Sequence, residues 1–170
     1  MDGKKMHKIP KKFDYIEIPQ SIFNQTLKQL QQVGEDYKEG IAYWSGVLNN
    51  NNGVIKNVIF ADDYPEFHNE SYFANVSLET SFKIGEKIHQ RNEFLFAQIH
   101  THPSDAFHSF VDDNYPISHR IGFLSIVIPN FGKNIYLLQQ CKIFEYKAKA
   151  KRNELKEKYV SKKFKVIENG

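Results

Sequence analysis

The sequence predicts a mixed α/β domain, because two segments with helical periodicity alternate with short apolar segments typical of strands. The chain has 170 residues, the length of one domain, and a domain of this size buries about two-thirds of its unfolded surface. The single cysteine permits no internal disulfide bond, and no apolar run approaches the roughly 18 residues of a membrane span. We therefore expect a cytoplasmic protein.

Three parts of the chain differ in composition. Residues 1–14 are a basic lead that we expect to be flexible, and residues 15–146 carry the alternating pattern. Residues 147–170 are a lysine-rich C-terminal extension that we expect to pack on the same domain as a helix and a short strand. The net charge is only +3, and glutamates interleave these lysines, so a solvated helix is favoured over a nucleic-acid interface.

The first elements are an amphipathic helix and a β-hairpin. The helix is predicted over residues 19–33, where apolar residues recur at intervals of three and four, and Gly34 is expected to cap it. Its predicted buried residues are Ile22, Phe23, Leu27, Leu30 and Val33. Residues 41–48 and 54–61 are strand-like, and the asparagine run between them tolerates a tight turn, so the two strands should pair.

A second helix is predicted over residues 77–90. Ser77 is its expected N-cap, and Leu78, Phe82 and Gly85 are expected to face inward. The segment before it, 62–74, is expected to be a loop that includes His68. The later predicted elements are strands at 93–99, 122–128, 134–140, 142–146 and 164–167, a turn at 129–133 and a helix at 149–160.

The most informative segment is residues 99–113, IHTHPSDAFHSFVDD. His100 and His102 are spaced i, i+2 on a predicted strand, so both point to the same face, roughly 6 to 7 Å apart along it. Pro103 cannot donate to a strand pairing and ends the strand, so the pair should sit at the strand exit. Such a pair can bind one metal ion, although an ordinary polar pair remains the alternative.

A catalytic zinc ion usually takes three protein ligands and one water molecule. Asp112 and Asp113 are both available as the third ligand, and Ser109 precedes Asp112 by three residues, so its hydroxyl could lie beside the metal. Other metallohydrolase classes fit poorly. The metallo-β-lactamase pattern needs an acid and a histidine directly after the pair, amidohydrolase barrels need about 200 residues or more, and zinc deaminases need cysteine ligands. The only cysteine is Cys141, which has no pattern suggesting a nucleophile.

The pattern resembles the JAMM motif of MPN-domain metalloproteases, including the prokaryotic JAB-type members. In that family a distant glutamate precedes His-Ser/Thr-His-Pro, a short loop and Ser-x-x-Asp. Here these are Glu39, then residues 100–103 (HTHP), then residues 109–112 (SFVD). Glu39 also begins a second pattern of the family, in which a glutamate is followed by six mixed residues and then a glycine. In this chain the segment reads EGIAYWSG. The resemblance covers roughly residues 17–140. The loop before Ser109 is one residue shorter than usual, which keeps Asp113 open as the ligand.

The resemblance implies a curved mixed sheet flanked by helices, related to the cytidine-deaminase-like architecture. It implies one Zn²⁺ per chain, bound by His100, His102 and Asp112. Glu39 would be the general base and later the acid. Ser109 would donate a hydrogen bond to the oxyanion, worth roughly 3 kcal/mol at comparable sites. Asp105, His108 and His119 are weaker candidates, which could orient a ligand imidazole or touch the substrate. Trp44 is expected in the core.

The resemblance also implies the substrate. The family cleaves isopeptide or peptide bonds after the C-terminal tail of ubiquitin-like proteins. The compact chain is similar to bacterial members that act beside conjugation enzymes, including those of phage-defence operons, so such enzymes are possible partners. No membrane or nucleic-acid partner is expected. Two alternatives stay open: a metal-free MPN scaffold that only binds partners, and a zinc hydrolase of a small amide or a DNA-linked substrate.

Overall fold

The computed structural model describes residues 13–70, 73–106, 117–118, 120–147 and 151–168, with backbone only at 69–70 and 73–75. Its strands are β1 (Ile16–Pro19), β2 (Ile41–Asn49), β3 (Asn52–Phe60), β4 (His68–Glu70), β5 (Phe73–Asn75), β6 (Phe94–Thr101), β7 (Leu124–Ile128), β8 (Lys142–Tyr146), β9 (Arg152–Glu154) and β10 (Phe164–Ile167). Its α-helices are α1 (Gln20–Glu35), α2 (Leu78–Gln90) and α3 (Glu157–Lys163). The mixed α/β prediction is confirmed.

Eight of the strands form one curled mixed sheet in the order β10-β1-β3-β2-β6-β7-β8-β9. The pairs β1–β10, β1–β3 and β6–β7 are parallel, and the other pairs are antiparallel. β4 and β5 pair separately. The first six residues of β2 are all buried, as expected for a central strand that is covered on both faces.

Two apolar clusters lie on opposite faces of the central strands. On the α1 face, residues of α1 cluster with Ala42, Trp44 and Ile99. On the α2 face, residues of α2 cluster with Ile41 and Tyr43. Since successive strand residues alternate between faces, the first four residues of β2 belong alternately to the two clusters. The sheet is thus the middle layer of three, and its central strands are held from both sides.

The first helix and the hairpin are confirmed, but the expected helix cap is wrong. α1 continues through Gly34 and ends at Glu35, and the positive φ after the helix, 57°, belongs to Tyr37. Gly34 is needed for a different reason. A Cβ atom there would lie 2.4 Å from the Cβ of Phe131, so only glycine permits this close approach.

The second helix is also confirmed, with the Ser77 hydroxyl accepting a hydrogen bond from the Thr80 amide at 3.0 Å. The predicted inward face is wrong. Leu78 and Phe82 are 91% and 66% exposed, and a Cβ at Gly85 would meet no atom within 4 Å. The buried residues of α2 are Thr80, Ile84 and Ile88. Apolar residues occur on two sides of this helix, and the isoleucine side is the one that meets the sheet.

Two predicted connections are different in the structure. The expected loop at 62–74 contains a 3₁₀ turn (Ala61–Asp63) and the β4–β5 pair. The expected strand at 134–140 is absent from this described segment. There the side-chain oxygen of Gln140 accepts the amides of Tyr136 and Leu137 at 2.8 and 2.9 Å, so these donors are not available to a sheet.

The C-terminal part contains less helix than the sequence predicts. From residue 151 onwards, the expected helix at 149–160 is replaced by β9 and then α3, while the predicted last strand is confirmed as β10. Residues 1–12 of the basic lead lie outside the described part, and the division into lead, domain and extension stays a prediction. No helix among the described residues is long and apolar enough to cross a membrane.

Candidate metal centre

The two histidines of the motif lie at the end of the central strand β6. His100 is inside the strand and His102 follows its last residue, and each is 3% exposed. The His102 amide donates to the Ile128 carbonyl at 2.9 Å, which extends the parallel pairing with β7 beyond Thr101. The prediction that the pair sits at a strand exit is confirmed.

The ring nitrogens of the two histidines converge. Their Nε2 atoms are 3.2 Å apart and the ring planes differ by 47°. Two nitrogens bound to one tetrahedral zinc ion, each at about 2.0–2.1 Å, would be separated by about 3.3 Å. The same separation permits a hydrogen bond between the rings, whose direction depends on the tautomer. Two buried imidazoles at this distance therefore fit a shared zinc ion.

The predicted third ligand cannot be placed. Asp112, its alternative Asp113 and the predicted oxyanion donor Ser109 all lie within residues 107–116, outside the described residues. In the part of the chain that the structure describes, no group of three or more His, Cys, Asp or Glu residues could hold a metal ion. The complete ligand set stays a prediction.

The predicted base, Glu39, lies next to the exit of β6. Ile41 is the antiparallel partner of His100. One residue further, the Thr101 amide donates to the Gly40 carbonyl at 3.1 Å, and the Gly40 amide donates to the Thr101 hydroxyl at 3.0 Å. These two hydrogen bonds join the two halves of the motif, which are 61 positions apart in the sequence.

Glu39 lies beside the histidine segment, just before the strand that pairs with it. Directly opposed residues of a strand pair point to the same face, as do residues two apart in one strand. Because Ile41 and His100 are opposed, Ile41 shares the face of His100, and Glu39 lies two residues before Ile41, outside β2. Glu39 is only 9% exposed, so it is not an ordinary surface acid. The structure thus places three of the five predicted site residues, Glu39, His100 and His102, on adjoining segments at the exit of β6.

Sequence reasoning missed the role of Thr101. Its side chain lies on the opposite face from the histidines, is fully buried, and fixes the residue that follows Glu39. The available signal was the small hydroxyl residue between the two histidines of the motif. A side chain there must point away from the metal, and a hydroxyl can accept a hydrogen bond from a neighbouring strand.

Tyr43 is a second residue that sequence reasoning did not single out. It belongs to the same face as Ile41, pairs with Gln98 and is fully buried. Within the described residues its hydroxyl has no hydrogen-bond partner. Burial raises the pKa of Tyr43 far above its usual range, so the phenol stays neutral. It therefore cannot act as a base at neutral pH.

Two further groups, Asp62 and Cys141, have shifted pKa values. Burial raises the pKa of the Asp62 carboxyl, and Asp63 raises it further, whereas Lys38 beside Glu39 lowers it. Burial raises the pKa of the Cys141 thiol to about 12, so this thiol stays protonated at neutral pH. The expectation that Cys141 is not a nucleophile agrees with this environment.

The weaker candidates are dispersed. His68 is exposed in β4, and Asp105 is exposed at the mouth of a cleft of about 530 Å³ beside the loop after His102. His108 and His119 lie outside the described residues. Trp44 is buried, and its indole N–H donates to the Thr26 hydroxyl at 2.9 Å, which confirms its predicted place in the core.

No protein-family model matches this chain, but comparisons with known proteins find similar ones. Over 140 residues it is 29% identical to the protein named Probable metalloprotease y4jG of Sinorhizobium fredii (strain NBRC 101917 / NGR234), covering 82% of this chain and 86% of that protein. The solution structure of protein DSY2949 from Desulfitobacterium hafniense matches with a TM-score of 0.63 at 12% identity. That match covers 91% of this chain and 94% of the other. The first similarity is a distant homology, and the second shows the fold alone.

Proposed function

We propose that this protein is a zinc-dependent isopeptidase or peptidase that cleaves after the C-terminal tail of a ubiquitin-like protein. The coarser activity, that of a metalloprotease, is supported by the distant homologue of that name. The observation that carries the proposal is the pair of buried imidazoles, with Nε2 atoms 3.2 Å apart, beside the buried Glu39, whose neighbour Gly40 is hydrogen-bonded to Thr101 between the two histidines. The resemblance to the JAMM motif supplies the individual roles.

His100 and His102 would hold one zinc ion per chain, with Asp112 as the third ligand. Neutral imidazoles add no charge and one carboxylate adds a single negative charge, so the centre would keep a net charge of about +1. When bound, the ion supplies Lewis-acid chemistry, acidifying water and polarising the scissile carbonyl group. Strand pairing holds the His100 backbone and hydrogen bonds to Ile128 and Phe131 hold that of His102, so both ligands would be positioned before substrate arrives.

Glu39 would move the proton during cleavage. Its carboxylate would take a proton from the attacking water molecule and return it to the nitrogen of the leaving amine. Since the side chain is only 9% exposed, little bulk water competes for its oxygens. The Ser109 hydroxyl would donate a hydrogen bond to the substrate carbonyl oxygen as that oxygen gains negative charge.

The substrate class rests on the resemblance. An isopeptide or peptide bond after a ubiquitin-like tail would be cut either to release a conjugate or to process a precursor. We place this activity in a bacterial ubiquitin-like conjugation or phage-defence system, with the conjugation enzymes of the same operon as possible partners.

The test combines metal analysis with cleavage. Zinc per chain is measured in purified protein, and cleavage of a ubiquitin-like fusion protein is then compared for the wild type, Glu39→Gln and Glu35→Gln. Glu35 is an exposed glutamate at the end of α1, so its variant controls for the same substitution nearby. We expect about one zinc per chain, and a loss of activity of about 10² to 10⁴-fold in Glu39→Gln alone.

Other outcomes would change the assignment. Stoichiometric zinc with full activity in Glu39→Gln would contradict the role of Glu39. Protein that retains no zinc after careful incubation with the metal would indicate the partner-binding scaffold. Zinc with hydrolysis of small amides, but not of the fusion protein, would indicate a different substrate class.

A further inference from the structure

The segment after β7 has an unusual backbone. Asn130, Phe131 and Gly132 have consecutive positive φ angles of 53°, 51° and 78°. Glycine adopts this region freely and asparagine does so often, but phenylalanine does so rarely, because its Cβ crowds the following carbonyl oxygen. Such a conformation persists only where surrounding contacts stabilise it, and it is enriched at functional sites. We call residues 130–132 the left-handed turn.

One set of contacts joins the left-handed turn to the histidine segment. The Phe131 amide donates to the His102 carbonyl at 2.8 Å, and the Asn130 amide donates to the Ser104 carbonyl at 2.8 Å. The His102 amide donates to the Ile128 carbonyl at 2.9 Å. Both backbone groups of His102 are therefore held by residues 128–131. A shift of the left-handed turn would move the histidine directly.

A second set of contacts joins the same turn to the end of α1. The Phe131 side chain is 5% exposed and packs so close to Gly34 that a Cβ there would lie 2.4 Å from the Phe131 Cβ. The Tyr37 ring meets the Phe131 ring edge-on, with centroids 6.4 Å apart. The Gln31 side-chain amide donates to the Gly132 carbonyl at 2.7 Å. Glu39 follows two residues after Tyr37.

We propose that Phe131 is a positioning residue, which holds the histidine segment and the Glu39 segment against each other through the left-handed turn. Its amide holds His102, and its side chain receives the end of α1 that leads to Glu39. This proposal rests on the proposed function, because it assigns Phe131 to the same metal centre. Residues behind metal ligands commonly change metal affinity by about 10 to 100-fold when they are replaced.

A purely structural Phe131 would behave differently. Its loss would lower the free energy of unfolding, as for any large buried side chain, but protein that is still folded would bind metal normally. Metal affinity of the folded protein therefore separates the two roles. Phe23 offers a matched control, because it is a phenylalanine in the α1-face cluster, 2% exposed, and lies near the opposite end of α1.

The experiment measures Co²⁺ binding to metal-free protein by visible absorbance, with urea unfolding of each variant in parallel. We expect Phe131→Ala to weaken Co²⁺ binding about tenfold or more. Phe131→Leu, which retains most of the packing, should stay within about threefold of the wild type. Phe23→Ala should bind like the wild type although it is comparably destabilised. Gln31→Ala, which leaves Phe131 intact and removes only the hydrogen bond to Gly132, should weaken binding by about threefold to fivefold.

The outcomes separate the two proposals. Wild-type protein that binds no Co²⁺ would overturn the metal site, and the positioning role with it. A wild type that binds, with equal affinity in Phe131→Ala and Gln31→Ala, would overturn the positioning role alone. If Phe131→Ala does not fold, Gln31→Ala decides. Weaker binding by that variant, beside normal binding by Phe23→Ala, supports the role, and normal binding overturns it.

Discussion

The two faces of the central strands differ in what they contain. On the α1 face, Trp44 and Ile99 are buried in the larger apolar cluster, and the polar groups that occur there, such as the Trp44 indole and Thr26, are hydrogen-bonded to each other. On the α2 face, the same strands contribute His100 and Tyr43 among a smaller set of apolar residues, and the buried Glu39 lies two residues before β2. Two consecutive residues of one strand therefore belong to very different environments.

This difference indicates a division of labour within one sheet. Apolar burial contributes roughly 1.5–3 kcal/mol for each large side chain, so the α1 face supplies most of the stability of the central strands. Buried histidines and a buried carboxylate contribute little to stability, yet their rigid placement suits chemistry. A substitution on one face should affect stability, and a substitution on the other should affect metal binding and activity.

The largest effect is expected for His102→Ala on the α2 face. Loss of a ligand should remove zinc, and with it the several kcal/mol that a metal supplies to the reaction, so cleavage should fall more than about 10³-fold. The free energy of unfolding of the metal-free protein should change little. His89→Ala, at an exposed histidine in the last turn of α2, is the control. Full zinc content in His102→Ala would contradict the ligand assignment.

The opposite result is expected for Ile99→Ala on the α1 face. Ile99 is fully buried, and removing this much side chain should lower the free energy of unfolding by about 3 kcal/mol. The milder Ile99→Val should lower it by about 1 kcal/mol. Urea unfolding gives these values, and Co²⁺ titration of the folded variants should give wild-type affinity. A large loss of affinity would show that the two faces are not independent.

The sequence predicts the α1 face better than the α2 face for a physical reason. Apolar residues at helical spacing in α1 occur on one side only, so Ile22, Phe23 and Leu27 are buried as predicted. In α2, periodicity suits two sides, and only the tertiary structure selects Ile84 over Phe82. Single-sequence patterns carry no information about which of two apolar sides meets the sheet.

The candidate site divides in the same way. The i, i+2 spacing of His100 and His102 at a strand exit follows from local pattern alone, and the structure agrees. The approach of Glu39 depends on the pairing of β2 with β6, which only the family resemblance anticipates. The left-handed backbone at Phe131 has no local signal at all, because phenylalanine seldom adopts positive φ and long-range contacts impose it.

A charge on the α1 face should affect stability and not catalysis. Glu145 shares the face of Leu124 and Ile143, and its side chain is 5% exposed. Lys163 lies 2.7 Å from one carboxylate oxygen, and Lys147 bonds to the other. Burial by itself would raise the pKa of Glu145, but the two lysines outweigh burial and hold it below its usual value. Glu145→Gln should therefore lower the free energy of unfolding by about 2 kcal/mol at neutral pH.

The pH dependence of this effect has a defined direction. Because the folded pKa of Glu145 is below the unfolded value of about 4.3, its contribution is complete above that pH and is lost as the pH falls through the folded pKa. Urea unfolding of the wild type and Glu145→Gln from pH 7 to pH 3 should therefore give converging values at the acidic end. A difference that stays constant with pH would show that the ionised carboxylate is not responsible.

The smallest effect is expected for Tyr43→Phe on the α2 face. The Tyr43 hydroxyl is buried without a hydrogen-bond partner among the described residues, and a buried hydroxyl in that state destabilises the folded protein. Its removal should leave the free energy of unfolding unchanged or raise it by up to about 1 kcal/mol, as measured in urea at neutral pH. The control is Tyr15→Phe, which removes the hydroxyl of a half-buried tyrosine before β1. A loss above 1 kcal/mol in Tyr43→Phe would mean that the hydroxyl is hydrogen-bonded in solution, and the α2 face would then contain a polar network larger than Glu39 and the histidines.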